Sequence, residues 1–322
     1  MKTALVTGGA GFIGSHLCEK LLELDYRVIN FDNFNDFYDP SLKRANVKKS
    51  LSNPNYLSVE GDIRDYDLLD RVFKENAVDL VIHLAAVAGV RKSLEYPAEY
   101  ADVDIIGTIN LLELAKKYRT KKFIFASSSS VYGTNPVPFS EDACIGLQLS
   151  PYAASKHAGE QFCRTYSHLY RLPVVVLRFF TVYGPRQRPE MAVHSFTRCI
   201  DQGREIHIFG DGKASRDYTY IDDIIQGILC SMDYPCDFEI FNLGNSKPVK
   251  LNELIGIIES KLGKYALKRF QPMQPGDVES TCADISKAKR LLGYSPKTGI
   301  NKGIEKFLKW YKTREQPNYG TI

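Results

Sequence analysis

Over the first 180 residues, short apolar runs alternate with longer stretches whose apolar residues recur every three or four positions. Thr3–Thr7 (TALVT), 27–31 (RVINF), Tyr56–Glu60, 80–84 (LVIHL), 123–126 and Val174–Phe179 read as six strands. Short runs with a continuous apolar centre, such as TALVT, suit strands buried on both faces. Residues 15–24, 41–50 and 108–118 read as helices, with Ser41 the expected cap of the second. A longer helix runs from Pro151 to about Tyr170, with Ser150 as N-cap and Pro151 at the first helical position. Strands alternating with helices at this spacing predict an α/β fold, a Rossmann-type doubly wound parallel sheet over residues 1–180.

Past residue 180 the pattern changes. Residues 181–191 (TVYGPRQRPEM) are rich in Pro, Gly and Arg. Helices are expected at 192–201, 222–231, 251–262, 285–292 and 303–312, strands at 206–209 and 238–242, and a turn at 210–217. Residues 181–322 therefore read as a smaller, mixed α/β lobe. The apolar run 238–243 is a candidate to rejoin the main sheet.

Composition narrows the classes without choosing one. Hydrophobic residues make up 44% of the 322 and charged residues 25%, ordinary for a globular protein. The net charge of +4 comes with no basic block of the kind that binds nucleic acid. No apolar run approaches the roughly 20 residues a membrane-spanning helix needs. Seven scattered cysteines without a CxxC pair make a poor disulfide framework or metal site, and none is expected. Met1-Lys2-Thr3 leads straight into the first strand, leaving no room for a signal peptide, so a cytoplasmic location is expected.

Candidate chemistry gathers where strands end. Gly8, Gly11 and Gly14 are spaced GxxGxxG between a strand and a helix. Such a turn lets backbone approach a pyrophosphate and aims free N–H groups at it, which makes this a candidate dinucleotide site. Asp32 ends the second strand, placed to bond ribose hydroxyls and to repel a 2′-phosphate, which favours NAD over NADP. Asp62 could meet an adenine amino group or form a turn. His83 reads as a core residue, since it sits within its strand. Ala85 and Ala86 are small enough to let backbone lie against a cofactor. Arg91 follows the fourth strand and is either an anion ligand or a solvated surface arginine. Four serines, 127–130, stand at the mouth of the fifth strand. Tyr152 and Lys156 are four apart, on one face of their helix. An ammonium there and a helix N-terminus would both favour the phenolate and make Tyr152 a usable acid/base. Alone, a YxxxK pair is more often an ordinary surface Tyr and Lys; the rest of the chain decides.

Taken in order, TGGAGFIG at 7–14, Asp32, GDIRD at 61–65, HLAA at 83–86, SSSSVYG at 127–133, YAASK at 152–156 and RDYTYIDD at 216–223 resemble the extended short-chain dehydrogenase/reductase family over nearly the whole chain. The resemblance implies tightly bound, recycled NAD, held by Gly8, Gly11, Phe12, Ile13, Gly14, Asp32, Asn33, Asp62, Ile63, Leu84, Ala85 and Ala86, with Tyr152 and Lys156. It implies Ser128, Tyr152 and Lys156 as the catalytic set. It also makes residues 181–322 a nucleotide-sugar-binding lobe. Dehydratases of the family carry acids in the two positions after Ser128, and decarboxylases a Glu before the Val; this chain has Ser129 and Ser130. That points to reversible oxidation at C4. DNFNDFYDPSLKRAN at 32–46, AGVRKSLEYP at 88–97, RFFTVYGP at 178–185 and QPMQPGDVEST at 271–281 resemble the family's UDP-glucuronate 4-epimerases. The implied substrate contacts are Arg91, Ser129, Ser130 and Thr181 for a carboxylate, Arg216 for the diphosphate and Asp277 for the uridine ribose. A homodimer through the helices near 100–118 and from 151 is expected. UDP-glucose is the alternative substrate, and a non-catalytic NAD-binding regulator is the alternative from another class.

Overall fold

The computed structural model describes residues 1–313; residues 314–322, the end of the expected second lobe, lie outside the described residues. The apolar runs form β1 (Thr3–Thr7), β2 (Arg27–Asp32), β3 (Tyr56–Glu60), β4 (Leu80–His83), β5 (Lys122–Ser128) and β6 (Val174–Phe179). Then come β7 (Thr181–Tyr183), β8 (Glu205–Phe209), β9 (Ser215–Tyr220), β10 (Phe238–Leu243), β11 (Pro248–Lys250) and β12 (Leu267–Gln271). Seven strands make one parallel sheet in the order β10-β6-β5-β4-β1-β2-β3. The chain thus returns to this sheet through β10, beside β6. The remaining strands form two small sheets, β11-β9-β7 and β12-β8.

Successive side chains of a strand point to opposite faces. Ala4 and Val6 accordingly join one apolar cluster and Leu5 the other. The first cluster continues past the sheet to Tyr183, Tyr218, Ile304 and Phe307, so residues beyond 180 share a core with one face of the main sheet. The second lies under α3 (Tyr66–Asn76), α6 (Gly107–Lys117) and α7 (Pro151–Tyr170). The other early helices are α1 (Phe12–Glu23), α2 (Pro40–Val47), α4 (Val90–Glu95) and α5 (Pro97–Tyr100). Later come α8 (Ala192–Asp201), α9 (Ile221–Met232), α10 (Leu251–Leu262), α11 (Ser286–Leu292) and α12 (Ile300–Thr313). No helix among the described residues is long and apolar enough to cross a membrane.

Local chemistry explains most boundaries. Ser150 Oγ accepts the Ala153 N–H at 3.1 Å and caps α7, ahead of Pro151 at the first position. Asp39, not Ser41, caps α2: its carboxylate accepts the Ser41 N–H at 2.9 Å, and Pro40 then starts the helix. α3 was not expected, although Asp65 caps it through the Leu68 N–H and Leu69, Val72 and Phe73 face the core. The expected turn at 210–217 ends instead in β9, a polar strand (SRDYTY) that pairs on both sides.

Candidate active site

The sheet order reverses direction at β1, and open α/β sheets bind ligands in the crevice at such a point. A cavity of about 680 Å³ opens there, at the C-terminal ends of β1, β2, β4 and β5. Gly8, Gly11 and Gly14 line it at one end and Ser128, Tyr152 and Lys156 at the other. Gly8 holds φ at +69°, a left-handed backbone that glycine adopts without strain. Gly11 caps α1 without a side-chain hydrogen bond, so the first-turn N–H groups remain available to an anion.

Asp32 is buried beside this turn. Its carboxylate accepts the Ala10 N–H at 3.1 Å and the Phe34 N–H at 2.9 Å, with the Lys43 ammonium 4.0 Å away. Asp62 also lines the cavity, but it is a turn former as well. It accepts the Arg64 N–H at 2.9 Å, two guanidinium N–H groups of Arg64, and the Asn33 amide at 3.0 Å. Those Arg64 hydrogen bonds hold its pKa down to about 2. Phe12, Ile13, Asn33, Ile63, Leu84, Ala85 and Ala86 complete the expected lining.

At the other end, Lys156 is buried under Tyr152. Its Nζ donates to the Ala126 carbonyl at 3.1 Å and lies 6.0 Å from the centre of the Tyr152 ring. Tyr100 packs edge-on against the same ring at 6.1 Å. Ser128 ends β5, and its Oγ donates to Ser130 Oγ at 3.1 Å while accepting the Ser130 N–H.

A second compartment of about 200 Å³ is lined by Ser129, Ser130, Thr181, Arg216 and Asp277. Thr181 borders both cavities. Burial lowers the Arg216 pKa. Arg91 is not in this lining. Its guanidinium lies 4.2 Å over the Phe209 ring and pairs with Asp277 at 3.1 Å, at the outer edge of the compartment. The Ser129–Ser130–Thr181 group is therefore joined by Arg216 rather than Arg91.

Several lining residues were not anticipated. Phe37, Tyr38, Lys43, Lys92 and Arg188 all border the larger cavity. Two aromatics in the loop at a strand mouth were a usable signal for Phe37 and Tyr38. Lys43 had none: it is a buried lysine in a basic helix. Among the described residues no group of three or more His, Cys, Asp or Glu could hold a metal ion.

His83 lies beneath the cavity floor, between Thr7 Oγ1 (2.7 Å) and Thr108 Oγ1 (3.0 Å). Burial, and then the Lys156 charge, push its pKa down to about 3. Above pH 6.5 the imidazole is neutral in both folded and unfolded chains and contributes nothing to pH dependence. Between 6.5 and about 3 the unfolded chain takes up a proton that the folded chain refuses. Stability therefore falls with falling pH, by at most about 1.4 kcal/mol per pH unit from this group. Denaturant titrations of wild type and His83→Gln from pH 7 to 4 should show a shallower acid loss in the variant. Equal slopes would clear His83 of the effect.

A family model described as GDP-mannose 4,6 dehydratase matches residues 5–307. A UDP-glucuronate 4-epimerase from Thermodesulfobacterium geofontis is 44% identical over 309 residues, spanning 96% of this chain and 95% of that protein. The crystal structure of a UDP-glucuronic acid 4-epimerase from Bacillus cereus, in complex with UDP-glucuronic acid and NAD, is similar at a TM-score of 0.92 and 39% identity, covering 97% of this chain and 99% of that one. A UDP-glucose 4-epimerase from Thermotoga maritima, with UDP-glucose, reaches 0.89 at 36% identity, covering 97% and 99%.

Proposed function

We propose that this chain, which belongs to the GDP-mannose 4,6 dehydratase family of extended short-chain dehydrogenases/reductases, is an NAD-dependent isomerase that interconverts UDP-glucuronate and UDP-galacturonate at C4. One observation carries the reading. Ser128, Tyr152 and Lys156 share a cavity with the glycine turn, and the adjoining compartment offers Ser129, Ser130, Thr181 and Arg216. That adjoining set can hold a carboxylate and a diphosphate, and its one acid, Asp277, is engaged by Arg91.

The larger cavity fits a dinucleotide: a backbone cradle with free N–H groups at one end, and a buried carboxylate, Asp32, set back from it. Bound NAD supplies the acceptor, and then the donor, of the hydrogen at C4. Tyr152, acting as the phenolate, takes the O4 proton and, as the phenol so formed, later returns it to the inverted carbon's oxygen. Ser128 holds O4 by hydrogen bonding. Lys156, fixed to the Ala126 carbonyl, keeps a positive charge beside the tyrosine ring. Arg216 anchors the diphosphate, Asp277 the ribose, while the sugar turns about its bonds to present its other face.

The 4-keto form of a uronate is a β-keto acid and loses CO2 readily when its carboxylate bond aligns with the carbonyl π system. The hydroxyls of Ser129, Ser130 and Thr181 are the groups placed to hold the carboxylate out of that alignment. None of them is an acid or base able to assist elimination. The competing substrate is UDP-glucose, favoured by the likeness to the Thermotoga maritima enzyme. The protein works in the cytoplasm as a homodimer joined through α6 and α7; Ile106, just ahead of α6, and Leu169 and Tyr170 at the end of α7 are exposed.

The test is incubation with UDP-glucuronate, followed by NMR. UDP-galacturonate should form without CO2. UDP-xylose as the main product, or faster conversion of UDP-glucose, would overturn the assignment.

A further inference from the structure

Tyr152, Lys156 and Glu160 succeed one another at four-residue intervals along one face of α7. The first two face the cavity. Glu160 is 1% exposed and makes a bidentate pair with Arg178 of β6, Nε to Oε1 at 2.9 Å and Nη2 to Oε2 at 2.7 Å. Its Oε1 also accepts the Ser127 hydroxyl at 2.5 Å. Ser127 and Arg178 stand directly opposite each other in the β5–β6 register. One carboxylate on the acid/base helix therefore grips two adjacent strands, one residue before Ser128. Gly159 lets the helix come this close, since a Cβ there would fall 2.5 Å from Phe125 Cζ.

A pair buried this deeply is a poor source of stability, because desolvation offsets most of the attraction. Apolar side chains could fill the same space. What they would not supply is direction: two parallel N–H bonds and one O–H bond fix how far α7 is turned and how far along β5 it sits.

We propose that Glu160 is a positioning residue, which through Arg178 and Ser127 sets the separation between the Ser128 hydroxyl and the Tyr152 phenol. This rests on the epimerase reading above only in taking those two groups as the ones that meet the substrate oxygen. Neither Glu160 nor Arg178 lines the cavity. Displacement of a reacting group by about 1 Å costs on the order of a hundredfold in rate.

Two variants separate positioning from support. Ser127→Ala removes the tether to β5; Ser127 also borders the cavity, so the double variant, whose residues do not, carries the distinction. The pair Glu160→Leu with Arg178→Met replaces the ion pair by apolar bulk, a change that commonly leaves stability little altered. Turnover and KM for UDP-glucuronate are measured with thermal unfolding. The expected result is kcat down about tenfold in Ser127→Ala and about a hundredfold in the double variant, with KM within about twofold and melting little changed. A folded double variant with wild-type kcat overturns the proposal, as does a loss of rate that only tracks the unfolded fraction. Should the double variant not fold, unchanged kcat in Ser127→Ala overturns it. A wild-type protein that converts UDP-glucose and not UDP-glucuronate refutes the substrate, and the same ratios are then read on UDP-glucose.

Discussion

Tyr152→Phe is expected to lower kcat by between about 10² and 10⁴ while leaving the fold and the cofactor in place. The change removes one oxygen. The ring keeps its edge-on contact with Tyr100 at 6.1 Å and its place beside the Lys156 ammonium. The cap at Ser150, the Lys156 bond to Ala126 and the Glu160 cluster do not involve the phenol, so α7 stays where it is. What is lost is the hydroxyl proposed to exchange a proton with O4. Ser128 cannot take over, because a serine hydroxyl needs a base of its own and its Oγ is engaged with Ser130. KM for the nucleotide sugar should change little, since Arg216 and Asp277 lie in the neighbouring compartment. The measurements are NMR-followed epimerisation, NAD content after gel filtration, and thermal unfolding. Activity within tenfold of wild type would remove Tyr152 from the chemistry.

Much of this was legible in the sequence because its signals are local. The glycine turn, Asp32 and the Ser150-Pro151 helix start each depend on residues within one turn or one strand end. The Tyr152–Lys156 pair needed only the period of a helix. The hidden parts depend on partners far along the chain. His83 was legible as a core residue, but its partners, Thr7 and Thr108, are 76 and 25 residues away. β9 looks like a turn because it carries Arg216 and Asp217. Asp217 can be buried only because the N–H groups of Asn245, Ser246 and Ala283 converge on it, at 2.7, 2.9 and 2.9 Å. No pattern of polar and apolar residues announces such a set. Arg91 shows the same limit. Its position after β4 made it a candidate anion ligand, but its contacts in the structure are with Phe209 and Asp277, more than a hundred residues further along the chain.

Gly14→Ala should strip the protein of bound NAD, although the substitution adds a single methyl group to a helix. Gly14 lies in the first turn of α1, where it passes over the glycine turn. A Cβ there would fall well inside contact with the Gly8 carbonyl oxygen and 2.7 Å from Gly9 Cα. Both are backbone atoms, so no rotamer change relieves the clash. Either α1 moves outward or Gly8 and Gly9 move toward Ala85, and the second route is closed: even a Cβ on Gly8 would meet the Ala85 nitrogen at 2.8 Å. The helix start must therefore shift, taking with it the N–H groups proposed to hold the pyrophosphate. Overpacking of this kind costs about 1–3 kcal/mol of stability. Because the N–H groups are displaced together, cofactor affinity falls as well, and a hundredfold weakening corresponds to about 2.7 kcal/mol, a cost of the same size. The wild-type protein should leave a gel-filtration column with NAD bound and turn over without addition. The variant should leave it empty, melt somewhat earlier, and recover activity only with added NAD. Retention of NAD at the wild-type level would mean that the glycine turn is a packing device and that the cofactor is held elsewhere in the cavity.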